Sequence, residues 1–424
     1  MKKTILAFSV LIPVLAFSQP KAELTESEKL FGLSTLWSNA KFYFANFDIS
    51  KINWDSTYQA FIPKVIGAKT VRAYYDTITK FYALLKDGHS NVYLPDSLRA
   101  GLGRLPVSTK LIENKVIITG IYNDTLKAEK IDVGDEILEI NGTDAVEYGK
   151  KYVMPYQSSS TQQDRIKRTY SYYLLVGGIN EPVHLKLKKQ DGPVILVSLS
   201  RKMRSTNKWE PYTFMVTPQN IGILTVKSFE LDNYDHLFDS IYPALLKTKA
   251  LIIDVRENGG GSTDQGTYIM SHLIDKPIYG SKWRTQQYTA AMVSWGIGPG
   301  WYSQDADKIQ PADGPKYLNP VVVLTSALTF SAAEDFMVEY VNSKRGIKIG
   351  QTTAGSTGNP YAFNLPGGGK ARICTKRDTY PDGKDFVGVG IAPDIEVNET
   401  IKSIRNQTDL VLNKAIDYLG QKIK

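Results

Sequence analysis

Apolar residues recur in three different rhythms, and the rhythms divide the chain. Over residues 24–90 they fall three and four apart: Leu30, Leu33, Leu36 and Trp37, then Val71, Tyr74, Ile78, Phe81 and Leu85. That spacing lines one face of a helix, and Thr25-Glu-Ser-Glu28 reads as a helix start. From about Gly101 to Lys202 the pattern shifts to short strands. Lys115–Ile121 is one; Ile131–Thr143 holds a turn, a strand and a tight Asn141-Gly142 turn; Glu181–Lys188 and Val194–Leu199 predict a closing hairpin. From about Trp209 onward, continuous apolar runs alternate with helical spacing. Asn220–Val226, Ala250–Val255, Asn319–Thr325 and Gly346–Gly350 predict strands, Asn319–Thr325 buried and Ala250–Val255 buried on both faces. Asp232–Lys247, Ala332–Asn342 and a stretch from about Gln407 to Tyr418 predict helices. Trp283–Leu318, rich in Trp, Tyr, Gly and Pro, predicts a long loop region beside a cleft.

These rhythms suggest four segments. Residues 1–18 read as a signal peptide, 19–100 as a helical segment, 101–205 as a β-rich domain and 206–424 as an α/β core. In the first, Lys2 and Lys3 form a charged start. Thr4–Phe17 is apolar but broken by Pro13 and short for a bilayer, and Ala16-Phe17-Ser18 offers small residues for cleavage before Gln19. The expected product is an exported protein, periplasmic or secreted, with no stable membrane anchor. The net charge is +8, but the basic residues are scattered, so no nucleic-acid partner is expected. Cys374 is the one cysteine and excludes an internal disulfide; no Cys/His cluster suggests a metal, and no cofactor is implied.

Candidate chemistry gathers where strands end. Ser331 falls between the Asn319–Thr325 strand and the Ala332–Asn342 helix. It has two readings. As an N-cap it would form a capping box with Glu334. As a nucleophile it would sit at the positive helix end, with the next N–H helping to hold an oxyanion. Gly259-Gly260-Gly261 follows the strand Ala250–Val255, and glycine amides can approach a substrate closely. One N–H from Gly260 or Gly261, plus that of Ala332, would make a two-donor oxyanion hole. His89 lies where a helix gives way to a strand, after the Asp87-Gly88 turn. It is one of only four histidines, and its plain reading is a surface or core residue.

Two resemblances sharpen this. The stretch Val133-Gly-Asp-Glu-Ile-Leu-Glu-Ile-Asn-Gly142 resembles bacterial PDZ domains. Such domains add a peptide as a strand and hold its terminal carboxylate on loop amides. The resemblance makes Gly101-Leu102-Gly103-Arg104 a candidate carboxylate loop, with an ordinary linker turn as the other reading. The tyrosine-rich insert Gln157–Tyr173 does not fit a minimal PDZ domain, and the sequence gives no account of it.

The whole chain resembles the S41 serine peptidases, the family of the tail-specific, C-terminal processing proteases and the tricorn protease. The matching pieces are Asp87-Gly-His-Ser90, the PDZ-like stretch, Asp254-Val-Arg-Glu-Asn-Gly-Gly-Gly261, Thr329-Phe-Ser-Ala-Ala-Glu334, Gly350-Gln-Thr-Thr-Ala-Gly355 and Gly390-Ile-Ala-Pro-Asp-Ile395. They occur in the family's order. The resemblance implies an α/β fold of the ClpP/crotonase type with an inserted PDZ domain, and endopeptidase activity with Ser331 as nucleophile. One branch of the family activates its serine with a lysine; here Ser356 occupies that slot, and no lysine occurs between Lys348 and Lys370. The tricorn-like branch uses a histidine, which His89 matches. The serine that precedes the tricorn histidine is Gly88 here, and Ser90 cannot simply replace it. For the acid that orients His89, the resemblance points before Gly388-Val-Gly390, to Asp382 or Asp385, with Asp385 favoured by position. Asp254, Arg256 and Asp394 read as shaping turns and strand ends, and Glu334 as a helix-start acid.

The function this implies is an exported serine endopeptidase acting on peptides or proteins, recruited through their C-termini by the PDZ-like domain. A histidine base predicts activity that falls as pH drops below roughly 6–7. The alternatives are a catalytically inactive S41-fold protein binding peptides or apolar ligands, and a crotonase-like acyl-transfer enzyme. The PDZ-like insert and the lack of a nucleotide-binding loop argue against the second.

Overall fold

The computed structural model describes residues 23–190 and 192–423, so the signal-peptide reading of residues 1–18 lies outside the described residues. The first helix, Glu26–Tyr43, begins at the expected signal: Thr25 and Glu28 form a capping box. Helices Trp54–Ile66 and Val71–Ala83 follow, each capped by a side chain, Asn53 and Thr70. Val71–Ala83 buries Tyr74, Tyr75, Ile78, Phe81 and Tyr82, and Phe81 stacks on Trp54 with ring centroids 4.3 Å apart. This layer does not close on itself. Its core is completed by Leu365, Ala371, Ile373 and Cys374 from the other end of the chain. The strand Asn91–Tyr93 pairs with Lys370–Arg372 in that same hairpin. His89 therefore leaves the helical layer directly into a C-terminal sheet.

The β-rich segment forms an antiparallel sheet in the order Val107–Ile112, Lys115–Ile121, Glu136–Ile140, Pro182–Lys188, Val194–Ser200. Its turns match the sequence. Asn141 and Gly142 both take positive φ, at 50° and 78°, as a tight hairpin turn requires. Alternating burial along Pro182–Lys188 places Val183, Leu185 and Leu187 inside. The insert Gln157–Tyr173 contains a helix, Gln162–Lys167, running into a wider helical turn, Arg168–Tyr173.

Two expectations are corrected here. Gly101–Arg104 is neither a free carboxylate loop nor a linker turn. Leu102–Arg104 is a strand paired antiparallel with Val176–Gly178, the Gly101 carbonyl accepts Ile179 N–H, and Arg104 Nη2 donates to the Ser171 carbonyl. Strand pairing, with Gly101 N–H given to the Leu98 carbonyl, replaces the open loop of donors a carboxylate would need. Trp283–Leu318 is not one loop. Lys282–Gln287 and Gly300–Gln304 form a hairpin that extends a third strand, Lys376–Thr379. The aromatic residues Trp283, Trp301 and Tyr302, which suggested a loop wall, instead stand in cross-strand register.

The α/β core is a six-stranded sheet. Its order is Tyr212–Val216, Ile221–Val226, Ala250–Asp254, Val321–Thr325, Gly346–Gly350, Ile395–Glu396, all parallel except the first pairing. The apolar runs need cover on both faces, and both have it. Helices Tyr234–Leu245, Thr263–Ser271 and Ala332–Ser343 contribute to the core on one side. Helix Leu410–Lys422 covers the other with Val411, Ala415 and Leu419. Parallel strands end together, so the loops after Ala250–Asp254 and Val321–Thr325 emerge side by side.

Close packing at the start of Gly346–Gly350 gives a test. A Cβ added at Gly346 would lie 1.9 Å from the Val321 carbonyl oxygen and 2.5 Å from the Tyr340 hydroxyl. A Cβ at Gly420, inside the last helix, would meet nothing within 4 Å. Gly346→Ala is expected to destabilise by about 1–3 kcal/mol or more through overpacking. Gly420→Ala is expected to be neutral or stabilising by up to ~1 kcal/mol. Thermal melts of the two variants read the difference.

Candidate active site

Ser331 adopts φ 60° and ψ −128°, a conformation costly for any residue with a side chain. Its surroundings hold it there. Phe330 N–H donates to the Asn258 carbonyl, Ser331 N–H donates to the Ser356 carbonyl, and Glu334 N–H donates back to the Ser331 carbonyl. The helix that follows has no side-chain N-cap, so the capping-box reading of Ser331 and Glu334 is overturned. The hydroxyl is engaged elsewhere: Ser331 Oγ lies 3.0 Å from His89 Nε2.

His89 is buried, and its other nitrogen, Nδ1, lies 3.0 Å from Ser356 Oγ. An imidazole that accepts the Ser331 hydroxyl proton at Nε2 must carry its own proton on Nδ1 and donate it to Ser356. Burial, and then the cationic Arg372, Arg168 and Lys376, hold the imidazole well below its usual pKa, so it rests neutral. Phe330 stacks on the imidazole with centroids 4.6 Å apart, and Arg168 lies over that phenyl ring at 5.1 Å. The turn before His89 is set by buried Asp87, which accepts His89 N–H and the Ser90 hydroxyl. Ser90 is thus committed to the turn. The place a side chain on Gly88 would fill is occupied: an added Cβ would lie 2.7 Å from Ser356 Oγ and from the Phe330 ring. Ser356 Oγ fills that space and bonds His89 Nδ1.

Ser356 is held by Glu334. The Glu334 carboxylate is buried and accepts Ser356 N–H at 2.8 Å, Gly355 N–H at 2.7 Å and the Thr353 hydroxyl. Thr353 in turn accepts Ile391 N–H at 2.7 Å. Burial nevertheless pushes the Glu334 carboxyl up to about 8. Asp385, the acid favoured from sequence, is not at the site. It is 41% exposed, bridges to Thr379 in a hairpin and lies 3.8 Å from Arg377 Nε. His89 Nδ1 is already satisfied by Ser356. Asp382 accepts Lys384 N–H in the same exposed turn. The sequence did carry a signal for Glu334, three residues after Ser331, but it matched helix-start chemistry equally well.

The glycine loop reaches the serine as expected, with one correction. Gly260 packs so tightly against the Ser331 turn that an added Cβ would be 2.6 Å from Ser331 Cβ and 3.0 Å from Ala332 N, and its φ is +93°. Its N–H, however, already donates to the Asn258 side chain at 2.9 Å. The bridge from Phe229 to this loop uses the Gly260 carbonyl and Ser262 N–H, which turns the N–H of Gly261 to the opposite side. Ala332 N–H and Gly261 N–H have no hydrogen-bond partner among the described residues. As expected, Asp254 and Arg256 pair at the strand end, where Asp409 joins them, whereas Asp394 fixes no local turn and instead accepts Lys348 N–H and Nζ from the strand Gly346–Gly350.

The insert that the sequence left unexplained ties the β-rich segment to this site. Ser160 Oγ accepts Gly88 N–H at 3.0 Å. Thr161 donates its hydroxyl to the Ala354 carbonyl at 2.7 Å, and Gln163 Nε2 donates to the carbonyls of Thr353 and Val389. Both loops that position His89, the Asp87–Ser90 turn and the Thr353–Ser356 loop, are therefore held from the insert.

Residues 220–397 match the model of peptidase family S41. A carboxyl-terminal-processing protease from Picosynechococcus sp. is 22% identical over 97% of this chain and 94% of its own length. A chloroplastic C-terminal processing peptidase from Tetradesmus obliquus is 28% identical over 36% of this chain, a match that spans 29% of the algal protein. Among solved structures, mature CPAF in complex with lactacystin superposes with a TM-score of 0.71 at 15% identity, covering 94% of this chain and 98% of that one. The photosystem II D1 C-terminal processing protease gives 0.51 at 20% identity, covering 88% and 94%. Residues 220–397 carry the core of peptidase family S41, the long relative and the solved structures extend the likeness in sequence and fold over the rest, and the chain is a serine-type peptidase.

Proposed function

We propose that the chain is an exported endopeptidase that cuts peptides or proteins through an acyl-enzyme formed on Ser331. The observation that carries this is the continuous relay Ser331–His89–Ser356, with both hydrogen bonds at 3.0 Å and the imidazole held neutral. Ser331 Oγ attacks the scissile carbonyl as His89 Nε2 takes its proton. The oxyanion is received by the N–H groups of Ala332, which follows Ser331, and Gly261, which follows the Gly260 packed against the Ser331 turn. As the C–N bond breaks, His89 returns the proton to the departing amine, and water then repeats the cycle to release the acyl group. Ser356 fixes the tautomer of His89, and Glu334 fixes Ser356. The chemistry is tricorn-like in using a histidine, but its orienting hydroxyl comes from the slot that holds lysine in the other branch.

Export is supported by the charged-then-apolar start of the chain, and no described helix is long and apolar enough to cross a membrane. The relatives' names point to substrates processed at their C-termini. We read residues 101–205 as a PDZ-like module that presents such tails, although not through Gly101–Arg104.

Digestion of a mixed peptide pool, read by mass spectrometry beside Ser331→Ala and His89→Ala, tests the proposal. Wild type is expected to cut and both variants to lose about 10³-fold or more of the activity. Cutting by Ser331→Ala at the wild-type rate would overturn it, and no cutting by any form would favour the binding-protein reading. Ser356→Ala is expected to lower kcat by about 10–10² with KM little changed, because the imidazole loses its orientation while the cleft keeps its shape. Finally, the depressed pKa of His89 corrects the pH expectation. The active base is the neutral form, and the folded protein protonates it only below the ordinary imidazole value. The acid limb of kcat/KM should therefore lie below the ordinary imidazole range. Arg372→Gln and Arg168→Gln remove nearby positive charge and should move that limb upward.

A further inference from the structure

A cavity of about 610 Å³ lies among the helices Thr263–Ser271 and Ala332–Ser343 and the strands that carry Trp283 and Asp378. Its charge opposes that of the chain. Asp264, Asp307, Asp335, Glu339 and Asp378 line it against Lys308 and Lys376, in a protein of net charge +8. Three of these acids are buried: Asp335, Glu339 and Asp378 are 7%, 2% and 1% exposed. Buried carboxylate oxygens are normally all satisfied. Here two are not. Glu339 Oε1 accepts the Thr267 hydroxyl at 2.6 Å, but Oε2 has no partner. Asp378 Oδ1 accepts Lys376 Nζ at 2.8 Å, but Oδ2 has none. Burial raises the Asp335 carboxyl to about 6 and that of Glu339 to about 8, as expected where carboxylates outnumber cations.

Lys376 illustrates what the cavity favours. Its ammonium is bonded to Asp378 and lies 5.9 Å from the Trp283 ring. Tyr268 and Trp283 offer aromatic walls for an aliphatic stem with a cationic head. The cavity is also close to the reacting groups. Asp335 lies one helical turn beyond Ser331 and donates its N–H to the Ser331 carbonyl. Thr263, whose hydroxyl donates to Asp335, follows Gly261 by two residues, a span of at most about 7 Å. The Lys376 charge reaches His89.

We propose that this cavity is a substrate subsite that seats a lysine or arginine side chain of the peptide beside the bond to be cut. The proposal rests on the peptidase reading above and adds a substrate preference to it. Asp264, Asp335, Glu339 and Asp378 supply the acidic lining, with Asp335 next to the serine turn, and Trp283 the wall.

Binding and cleavage test it separately. Calorimetric titration of the Ser331→Ala protein with Nα-acetyl-lysine N-methylamide, and with its norleucine isostere, reads the cavity without chemistry. The lysine amide is expected to bind at least about tenfold more tightly. Glu339→Gln or Asp378→Asn, introduced into the Ser331→Ala protein, is expected to abolish that preference. Asp264→Asn, at the exposed rim, gives the reading if a buried change lowers the melting temperature, and it should reduce the preference. In the peptide pool, the active protein should show lysine and arginine enriched at one position next to the cut. Equal affinity for the two amides, or a preference unchanged in all three variants, overturns the assignment whether or not the pool is cut. An uncut pool with selective lysine-amide binding would fail the peptidase reading and leave the cation subsite standing.

Discussion

The site depends on one buried carboxylate. Glu334 sits in the first turn of the helix that Ser331 begins, and it grips the loop Thr353–Ser356 through a hydroxyl and two backbone N–H groups. That grip sets the distance between the helix carrying the serine and the loop carrying the hydroxyl that faces His89 Nδ1. Desolvation of a carboxyl is costly, and the three donors offset part of that cost without restoring an ordinary pKa. A group this buried cannot move far to relax, so the geometry it fixes is stiff. The left-handed backbone at Ser331 is the corresponding strain on the other side of the same contact.

Around that contact three distant parts of the chain converge. The helical layer delivers His89 and completes its own core with the hairpin of Leu365–Cys374. The α/β sheet delivers Ser331 and the glycine loop from adjacent strand ends. The β-rich segment delivers the insert, whose Ser160, Thr161 and Gln163 hold the backbone on both sides of His89. The histidine ring is further fixed by a stack of Phe330 and Arg168, and Arg168 is itself held by buried Asp164 at 2.8 Å. The segment that resembles a binding module is thus mechanically joined to the candidate catalytic loops. A ligand that shifted it would act directly on the relay.

The differences from expectation share a physical cause. Asp385 was favoured because it lies near the right place in the linear order, yet the acid in the structure comes from beside the serine, across a loop fold that linear order cannot express. Gly260 and Gly261 are indistinguishable as letters; Gly260 donates its N–H to the Asn258 side-chain oxygen, and that of Gly261 is left. Gly101–Arg104 and Trp283–Leu318 looked irregular because strand pairing partners lie far away, at Val176–Gly178 and Lys376–Thr379.

What the sequence determined by itself was everything governed by local period and local chemistry. The helical face of Val71–Ala83, the Thr25 capping box, the Asn141-Gly142 turn and the buried strands were legible in it, while the pairing of Ser331 with His89 was implied only by the family resemblance. Patterned burial and ordered motifs do not require knowing which distant segments touch. Tertiary structure alone decided which atom answers which. Ser356 was seen only as the residue in a lysine's place, Glu334 only as a helix-start acid, and the insert Gln157–Tyr173 as nothing at all. Each acquires its role from a partner brought near by packing: His89 for Ser356, the Thr353–Ser356 loop for Glu334, and the backbone of two loops for the insert. Hydrogen bonds act over about 3 Å, and only the folded chain sets distances on that scale.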